Sequence, residues 1–306
     1  MSVKAQRIGF IGAGNMGRPM IRRLVEAGYR VTVSVRREEA RTAVARLGAS
    51  TVDTPAEAAA QADLLLTNVT TTSDVEAVLF GTLGATATMN PGCTVIDFST
   101  ISPLAVGGIA ERVRVRGGEF LDAPVSGGIK GAETGTLSIM VGGDQRVLER
   151  ARPVLACLGQ TITHIGPNGA GQVAKACNQL VQVINIQGIA EAVQFATRMR
   201  VDPSRVLTAI AAGMAGSKML DLMGPKMEER DFSAGIEARL HAKDFGLVCH
   251  TIDEMGICMP ATNVVRAQLE RLVAEGWGSD DTSSLLRVLE VQSIESKACA
   301  SREAPS

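Results

Sequence analysis

The sequence lacks the features that mark nucleic-acid-binding proteins and membrane proteins. Its 31 Lys and Arg residues are balanced by 32 Asp and Glu residues, so there is no basic excess to bind a nucleic-acid backbone. It has no run of about 18 uncharged apolar residues, which excludes a transmembrane helix and with it a membrane partner. The opening stretch "MSVKAQRIGFIGAG" has neither the apolar core nor the cleavage site of a signal peptide, so we expect a cytoplasmic protein.

Motifs for metal binding and nucleophilic catalysis are missing as well. The six cysteines, at positions 93, 157, 177, 249, 258 and 299, form no C-x-x-C pair, which predicts reduced, mostly buried thiols. The three histidines, His164, His241 and His250, have no partner at ligand spacing, so we expect no metal site. The G-x-S-x-G motif of a serine nucleophile does not occur either.

The first half of the chain has the pattern of an α/β domain. Residues 1–165 alternate short β-branched runs with helical stretches, which predicts βαβ units around a doubly wound, mostly parallel sheet. Thr54 with Glu57 predicts a helix that starts with a capping box, and Ser102 predicts a second cap. The predicted strands are Arg7–Ile11, Val31–Val35, Leu64–Val69, Thr94–Phe98, Glu119–Ala123, Thr136–Val141 and Thr161–Ile165.

After "GPNGAG" at 166–171 the apolar residues follow a helical period. The pattern predicts a helix from Gly171 to about Met199, roughly 43 Å long. Such a helix would join the α/β domain to an all-helical domain, 166–295, that could bind substrate, form a dimer or do both. The last residues, 296–306, predict a disordered tail.

A glycine-rich stretch at the N-terminus predicts a cofactor site. In "RIGFIGAGNMGRPM", Gly12, Gly14 and Gly17 form G-x-G-x-x-G between a predicted strand and a predicted helix. These glycines allow a tight turn and bring backbone N–H groups close to a pyrophosphate at the helix N-terminus. An ordinary glycine-rich turn is the alternative, but the strand–turn–helix setting favours a dinucleotide.

The end of the second predicted strand bears on the choice of cofactor. NAD enzymes usually have an acidic residue there to bind the ribose 2′-hydroxyl, whereas this chain has Arg36 and Arg37. Two guanidinium groups suit a 2′-phosphate, which predicts NADP, with NAD possible. The alternative is a solvated helix start in which Glu38 and Glu39 pair with the arginines.

Two further stretches predict a substrate site. Ser126, Gly127 and Gly128 offer a hydroxyl and unhindered backbone N–H groups within three residues, which suits a small carboxylate. In "GAGQVAKACNQ", Lys175 shares one helical face with Asn178 and Gln179, where a lysine and two carboxamides could hold a carbonyl oxygen and its proton donor. A glycine-rich connection and a solvated lysine are the respective alternatives.

For Lys243 and Asp244 in "LHAKDFGL", the simplest interpretation is an ion pair on the surface.

Taken together, the motifs of this sequence resemble the β-hydroxyacid dehydrogenase family, which includes the 3-hydroxyisobutyrate dehydrogenases. The likeness runs from Ile8 to about Glu290, because "GFIGAGNMG", "DFSTISP", "DAPVSGG", "GAGQVAKACNQ" and "AKD" have the family's order and spacing. It implies a Rossmann domain, an all-α domain and an NAD(P)-dependent oxidoreductase that acts on a small β-hydroxyacid or semialdehyde.

The resemblance also implies roles for individual residues. Lys175 matches the catalytic lysine, and the turn Ser126–Gly128 matches the family's carboxylate-binding turn. Val69 and Thr70 stand where many members have Leu-Pro, and we expect cofactor contact there too. The other implied cofactor contacts are Gly12, Gly14, Asn15, Met16, Thr100 and Lys243.

Asn178 and Gln179 stand where many members have Asn-Asn. With Asn-Gln at these positions, the sequence is most similar to the tartronate semialdehyde reductases within the family. The expected reaction is reduction of that semialdehyde to glycerate, with Lys175 as proton donor. A 3-hydroxyisobutyrate, threonate or imine activity and a non-enzymatic nucleotide-binding scaffold are the alternatives. The large apolar content of the helical half, including "LVQVINIQGIAEAV", predicts a homodimer or homotetramer.

Overall fold

The chain divides into two compact units, residues 1–175 and 176–306. The computed structural model describes residues 6–303. The first unit is an α/β domain built on one sheet, and the second is all helical. Helix α8, Ala170–Arg198, begins in the first unit and continues into the second. The fold class predicted from the sequence is therefore confirmed.

The sheet has the strand order of a Rossmann fold. Nine strands of the described residues form it, with β3-β2-β1-β4-β5-β6 all parallel and in that order. Strand β8 then runs antiparallel to β6 and β7, and β9 pairs with β8. The strands are β1 Arg7–Ile11, β2 Arg30–Ser34, β3 Ser50–Val52, β4 Leu64–Thr67, β5 Thr94–Asp97, β6 Glu119–Asp122, β7 Val125–Ser126, β8 Leu137–Gly142 and β9 Gly159–Gly166.

Helices cover both faces of this sheet, so its central strands are apolar on both sides. Along β4, Leu64 and Leu66 belong to one apolar cluster, while Leu65 between them belongs to the other. This alternation follows from the two-residue period of a strand. The helices of the first unit are α1 Gly17–Glu26, α2 Glu38–Ala45, α3 Pro55–Ala59, α4 Thr72–Phe80, α5 Pro103–Val115, α6 Gly128–Thr134 and α7 Gln145–Leu155, with a 3₁₀ turn at Ala85–Ala87.

The second unit packs five further helices and the C-terminal part of α8 around its own apolar core. Val183, Ile186 and Ala190 of α8 contribute to this core, together with Phe245 and Leu272. No helix of the described residues is long and apolar enough to cross a membrane. The helices are α9 Pro203–Ala211, α10 Lys218–Glu229, α11 Ala238–Met255, α12 Pro260–Ala274 and α13 Leu285–Glu303, with a 3₁₀ turn at Thr282–Ser284.

Some local features predicted from the sequence are present in the structure, and others are not. The capping box of Thr54 and Glu57 is present, whereas Ser102 stands at the start of α5 without a capping hydrogen bond from its side chain to any described residue. The cysteines are less buried than predicted: of the five described, all free thiols, Cys93 and Cys249 are buried.

The C-terminal tail also differs from its prediction. The predicted disordered segment 296–306 begins inside α13, which continues to Glu303, while 304–306 lie outside the described residues. The physical reason is composition, because "KACASRE" contains good helix formers and neither glycine nor proline. Apolar patterning ends before this segment, so periodicity alone could not reveal the extra turns.

Candidate active site

The turn between β1 and α1 shows why each of its glycines is needed. Gly12 has a φ of +108°, and a Cβ there would lie 2.1 Å from the Asn68 carbonyl oxygen. A Cβ at Gly17 would lie 1.9 Å from the Gly12 carbonyl oxygen, so α1 packs directly on the turn. At Gly14, by contrast, no described atom lies within 4 Å of that position. The turn is therefore tight on its protein side and open where a pyrophosphate would approach.

The N-terminus of α1 is suited to an anion. None of the described side chains caps it, and its first turn contains no acidic residue. Asn15 is exposed beside it, where its Oδ1 accepts a hydrogen bond of 3.3 Å from Arg18. Met16 packs against the apolar cluster beneath the turn. The positive end of the helix dipole favours a phosphate here.

Arg36 and Arg37 follow β2 and are exposed. Glu38 pairs with Arg41, whose guanidinium also binds Asp53 and the Val35 carbonyl oxygen. Among the described side chains, those of residues 6–296, none forms an ion pair or a hydrogen bond with Arg36 or Arg37. The pairing of these two arginines with Glu38 and Glu39, one alternative from the sequence, is therefore not what the structure has.

The loops after β4 and β5 are linked to each other and to the start of α8. The Val69 N–H donates to Ser99 Oγ at 2.9 Å, and Thr70 beside it is exposed. The buried Gln172 side chain donates to the Ser99 carbonyl oxygen at 2.7 Å and accepts from the Ile101 N–H at 3.2 Å. These two hydrogen bonds fix the loop that contains half-buried Thr100 at the carboxyl end of β5. Ligands of such parallel sheets bind at this edge.

Two buried carboxyl groups lie at the carboxyl ends of adjacent strands. Asp97 of β5 and Asp122 of β6 are in register and have no exposed surface. Asp97 Oδ1 accepts from Thr67 Oγ1 at 2.7 Å and from the Ser99 N–H at 3.1 Å, while Oδ2 has no partner among the described residues. Burial, with a further contribution from Asp122, raises the pKa of Asp97 to about 6. Burial also raises the pKa of Asp122.

Asp122 fixes the N-terminus of α8. Its Oδ1 accepts from the Gly169 N–H at 2.9 Å and its Oδ2 from the Gln172 N–H at 3.0 Å. A Cβ at Gly142 or Gly171 would lie within 2.8 Å of this carboxylate, so both glycines are required for its close approach. A negative charge at a helix N-terminus also interacts favourably with the helix dipole.

The Ser126–Gly128 turn joins β7 to α6. Ser126 is half-buried, and the two glycines after it are exposed. Gly127 and Gly128 have φ values of +130° and +61°, and no described atom would contact a Cβ at Gly128. Successive backbone N–H groups in a turn can bind an anion, and neither glycine has a side chain to block its approach. We call Ser126–Gly128 the anion-binding nest.

Lys175 reaches this turn from α8. Its side chain is only 8% exposed, and its Nζ donates to the Val125 carbonyl oxygen at 2.9 Å. Val125 directly precedes Ser126, so the ammonium and the anion-binding nest lie side by side within the first unit. The solvated lysine that the sequence left open as an alternative is not what the structure has.

In the second unit, Asn178 and Gln179 belong to a polar network. Asn178 Nδ2 donates to Gln179 Oε1 at 2.9 Å, and buried Gln179 donates to Asp244 Oδ2 at 2.9 Å. Lys243 Nζ lies 2.8 Å from the other oxygen of Asp244, and both side chains are largely covered. The surface pair that sequence alone suggested for Lys243 and Asp244 is therefore a half-buried pair joined to Gln179.

Sequence reasoning missed four residues that organise these groups. Asp122 and Gln172 fix α8 and the loop after β5, while Gln182 and His241 extend the network from Asn178. A signal existed for Asp122, because a carboxylate at the end of an otherwise apolar strand "EFLD" needs buried partners. Gln172 and His241 have partners 73 and 59 residues away, Ser99 and Gln182, which no local pattern indicates. Gln182 lies four residues after Asn178 on the same helix, and this i,i+4 spacing was a local signal.

Comparison with known proteins matches both units to family models. Residues 7–166 match the model described as the NAD binding domain of 6-phosphogluconate dehydrogenase. Residues 169–289 match the model described as NAD-binding of NADP-dependent 3-hydroxyisobutyrate dehydrogenase. The two matches follow each other along nearly the whole chain.

Three similar proteins have names that bear on function. The 2-hydroxy-3-oxopropionate reductase of Escherichia coli (strain K12) is 39% identical over 93% of this chain and 97% of its own. The NAD-dependent L-serine dehydrogenase of Pseudomonas aeruginosa is 34% identical over 93% and 98% of the two chains. A solved structure of Mycobacterium tuberculosis 3-hydroxyisobutyrate dehydrogenase with L-serine has a TM-score of 0.88 and 31% identity, covering 94% and 99%.

Proposed function

This chain belongs to the β-hydroxyacid dehydrogenase family, and from that premise we propose that it reduces tartronate semialdehyde (2-hydroxy-3-oxopropanoate) to glycerate. As a member of this family it is an NAD(P)-dependent oxidoreductase that acts on CH–OH groups and uses a nicotinamide cofactor. Within that activity, the semialdehyde, NADPH and the roles of individual residues are the proposed part. Lys175 is the proposed proton donor to the C3 aldehyde oxygen.

One observation carries the proposed mechanism. Lys175 Nζ donates to the Val125 carbonyl oxygen at 2.9 Å, directly before the anion-binding nest of Ser126–Gly128. A three-carbon acid held by its carboxylate in that nest has its aldehyde carbon two bonds away from the carboxyl carbon. A lysine beside the nest is therefore within reach of the aldehyde oxygen.

Each step that the protein performs has a residue for it. The Ser126 hydroxyl and the N–H groups of the nest bind the carboxylate and orient the aldehyde. As the aldehyde carbon is reduced, negative charge develops on its oxygen, and Lys175 stabilises this charge and donates a proton to it. Proton transfer by a positioned group contributes about 10²- to 10⁴-fold to the rate. In the reverse direction the amine takes the proton from the C3 hydroxyl.

The first unit also fits the cofactor. A nicotinamide cofactor supplies the hydride when it is bound. The open face at Gly14 and the uncapped α1 N-terminus would hold its pyrophosphate, and Val69, Thr70 and Thr100 would line its path along the strand ends. The exposed guanidinium groups of Arg36 and Arg37 support a 2′-phosphate and thus NADPH.

The choice of semialdehyde rests on Asn178 and Gln179 together with the 39% identical relative named 2-hydroxy-3-oxopropionate reductase. The alternatives are another β-hydroxyacid, such as 3-hydroxyisobutyrate, threonate or L-serine. A steady-state panel with these compounds and both cofactors tests the proposal. We expect the highest kcat/KM with tartronate semialdehyde and NADPH, and a higher value for any other pair would refute the substrate assignment.

We also propose that the chain is a homodimer or homotetramer in a reducing, cytoplasmic compartment. Val181 and Phe195 on α8 are each 69% exposed, and with Gly188 they recur at seven-residue intervals on one side of the helix. Large apolar side chains exposed in a row support association. The five described cysteines are free thiols, which supports the reducing compartment.

A further inference from the structure

A row of side-chain amides in the second unit connects a carboxylate to a histidine. It runs from Asp244 through Gln179, Asn178 and Gln182 to His241. Each link joins side chains, with distances between 2.9 and 3.3 Å. Gln179 and His241 are each only 3% exposed, so these groups cannot readily exchange their partners for water. We call these five residues the amide relay.

The carboxylate sets the direction of the first two links. A carboxylate can only accept, so the Gln179 side chain must turn its NH₂ group toward Asp244 Oδ2. Its Oε1 therefore faces Asn178. Because this oxygen can only accept, the NH₂ group of Asn178 must donate to it, at 2.9 Å. The ion pair of Lys243 with the other Asp244 oxygen keeps the carboxylate in this role.

The same direction continues to the histidine. The second N–H of Asn178 donates to Gln182 Oε1 at 3.2 Å, which leaves the Gln182 NH₂ group facing His241 Nε2 at 3.3 Å. His241 Nε2 must then accept, so the ring proton is on Nδ1. Nδ1 in turn donates to Thr282 Oγ1 at 2.8 Å, and that hydroxyl donates to the Ile236 carbonyl oxygen at 3.4 Å.

The relay leaves one polar atom of Asn178 for a ligand. Both of its N–H groups are committed, one to Gln179 and one to Gln182. Its Oδ1 accepts no hydrogen bond from the described groups of residues 6–296. A ligand that meets this side chain therefore meets a fixed acceptor, and only a hydrogen-bond donor can pair with it.

We propose that the amide relay makes Asn178 a selector for a hydroxyl group at C2 of the substrate. The inference rests on the proposed function and adds that Asn178, one helical turn beyond Lys175 on α8, contacts the substrate. The C2 hydroxyl of tartronate semialdehyde donates to Asn178 Oδ1, whereas the C2 methyl of methylmalonate semialdehyde, otherwise the same in shape, leaves that acceptor unpaired. Gln182 and His241 are positioning residues, because they act on the substrate only through Asn178.

Substitutions at the far end of the relay test this proposal. In the wild type we expect kcat/KM for tartronate semialdehyde to exceed that for methylmalonate semialdehyde by at least about tenfold. The methyl compound loses one hydrogen bond and leaves Oδ1 of half-buried Asn178 without a donor. His241→Asn removes the acceptor at the Nε2 position, and Gln182→Met removes both relay groups at similar volume. Each should lower the hydroxyl-to-methyl ratio about tenfold.

Two matched variants separate the relay from general damage. His241→Gln keeps an amide oxygen near the Nε2 position and should hold the ratio within about threefold of the wild type. Gln194→Met alters a glutamine of the same helix whose amide binds Ser293, outside the relay, and should leave the ratio unchanged. If Gln182→Met kept the wild-type ratio of the two kcat/KM values, the proposal would be overturned. This test does not depend on whether His241→Asn folds.

An NMR measurement of the His241 ring tests the hydrogen-bond direction of the amide relay separately from the proposed function. Long-range ¹H–¹⁵N spectra of the wild type, with His241 assigned by its loss in His241→Gln, should show a protonated Nδ1 and an unprotonated Nε2. A protonated Nε2 would overturn the relay even if tartronate semialdehyde is reduced. Conversely, no reduction of tartronate semialdehyde with a protonated Nδ1 would refute the proposed function and leave the relay direction standing.

Discussion

Two exposed arginines at the end of β2 carry the proposed preference for NADPH. Since Arg36 and Arg37 have no ion-pair partner among the described residues, their charges are available to a 2′-phosphate. We expect the double substitution of both arginines by Ser to raise KM for NADPH by at least about tenfold, because charge-assisted hydrogen bonds contribute about 1.5–3 kcal/mol each. Steady-state kinetics with NADPH and NADH measures this.

The control for that prediction is Arg46→Ser, which removes an exposed arginine just after α2. It should change neither KM. An equal rise of KM for NADPH and NADH in the double variant would contradict a role in binding the 2′-phosphate, because NADH lacks that group.

Buried Asp97 predicts a pH dependence of stability. Its folded pKa of about 6 lies above the ordinary aspartate pKa of 3.8, so the folded protein retains a proton that the unfolded chain loses between these values. Asp97 therefore costs no stability below about pH 4, and its full cost is present above about pH 6. At about 1.4 kcal/mol for each unit between the two pKa values, that cost is about 3 kcal/mol.

Asp97→Asn removes this titration while keeping an oxygen for Thr67 and Ser99. We expect its unfolding free energy, measured in urea, to rise relative to the wild type by about 2–3 kcal/mol between pH 4 and pH 7. Asp221→Asn, which removes an exposed carboxylate of α10, serves as the control. A difference between Asp97→Asn and wild type that stays constant with pH would contradict the account.

At the scale of elements, the N-terminus of α8 couples folding to the site. Asp122 accepts hydrogen bonds from the N–H groups of Gly169, just before the helix, and of Gln172 in its first turn, and Lys175 lies one turn beyond Gln172. Asp122→Ala leaves both donors buried without a partner, so we expect a loss of about 2–4 kcal/mol in unfolding free energy. Because the lysine moves with the helix end, kcat should also fall by about tenfold or more.

Asp144→Ala is the matched control for helix capping. Asp144 caps α7 in the same manner, through the N–H groups of Arg146 and Val147, but α7 contains none of the proposed site residues. We expect a loss of about 1 kcal/mol in stability and no change in kcat. If Asp122→Ala also kept its kcat, the cap would be structural only.

Sequence patterns predicted the larger elements well and the small ones poorly. All seven predicted strands exist. Most are runs of buried apolar residues, whereas Thr161–Ile165 in β9 alternates exposed and half-buried residues and was identified by its β-branched side chains. Strands β3 and β7 were not predicted, since Ser50–Val52 and Val125–Ser126 are too short to show a period. Yet β7 positions the Val125 carbonyl oxygen, which accepts the hydrogen bond from Lys175 Nζ.

The site shows the same limit. Motifs with fixed spacing, such as Gly12–Gly17 and Ser126–Gly128, could be identified because one turn supplies all their groups. The supports of Lys175 could not, because Asp122 lies 47 residues before its partner Gly169 and Gln172 lies 73 after Ser99. Such contacts depend on the order of strands in the sheet, which no local window contains.

At the scale of the whole molecule, the exposed face of α8 predicts association. We expect light scattering to give the mass of a dimer or tetramer. Replacing both Val181 and Phe195 by Glu should reduce that mass, because it adds like charges to an apolar contact. Thr197→Glu, on the same helix and also exposed, is the control. A monomeric wild type would contradict the proposal.

The central claim is that Lys175 donates the proton in the reduction of tartronate semialdehyde. Its most direct test is the single-turnover rate of NADPH oxidation with that substrate in wild type and Lys175→Ala, with Lys218→Ala, an exposed lysine of α10, as control. We predict a fall of about 10²- to 10⁴-fold in Lys175→Ala, with the Kd for NADPH nearly unchanged and Lys218→Ala equal to wild type. A Lys175→Ala enzyme that retains the wild-type rate would contradict the account.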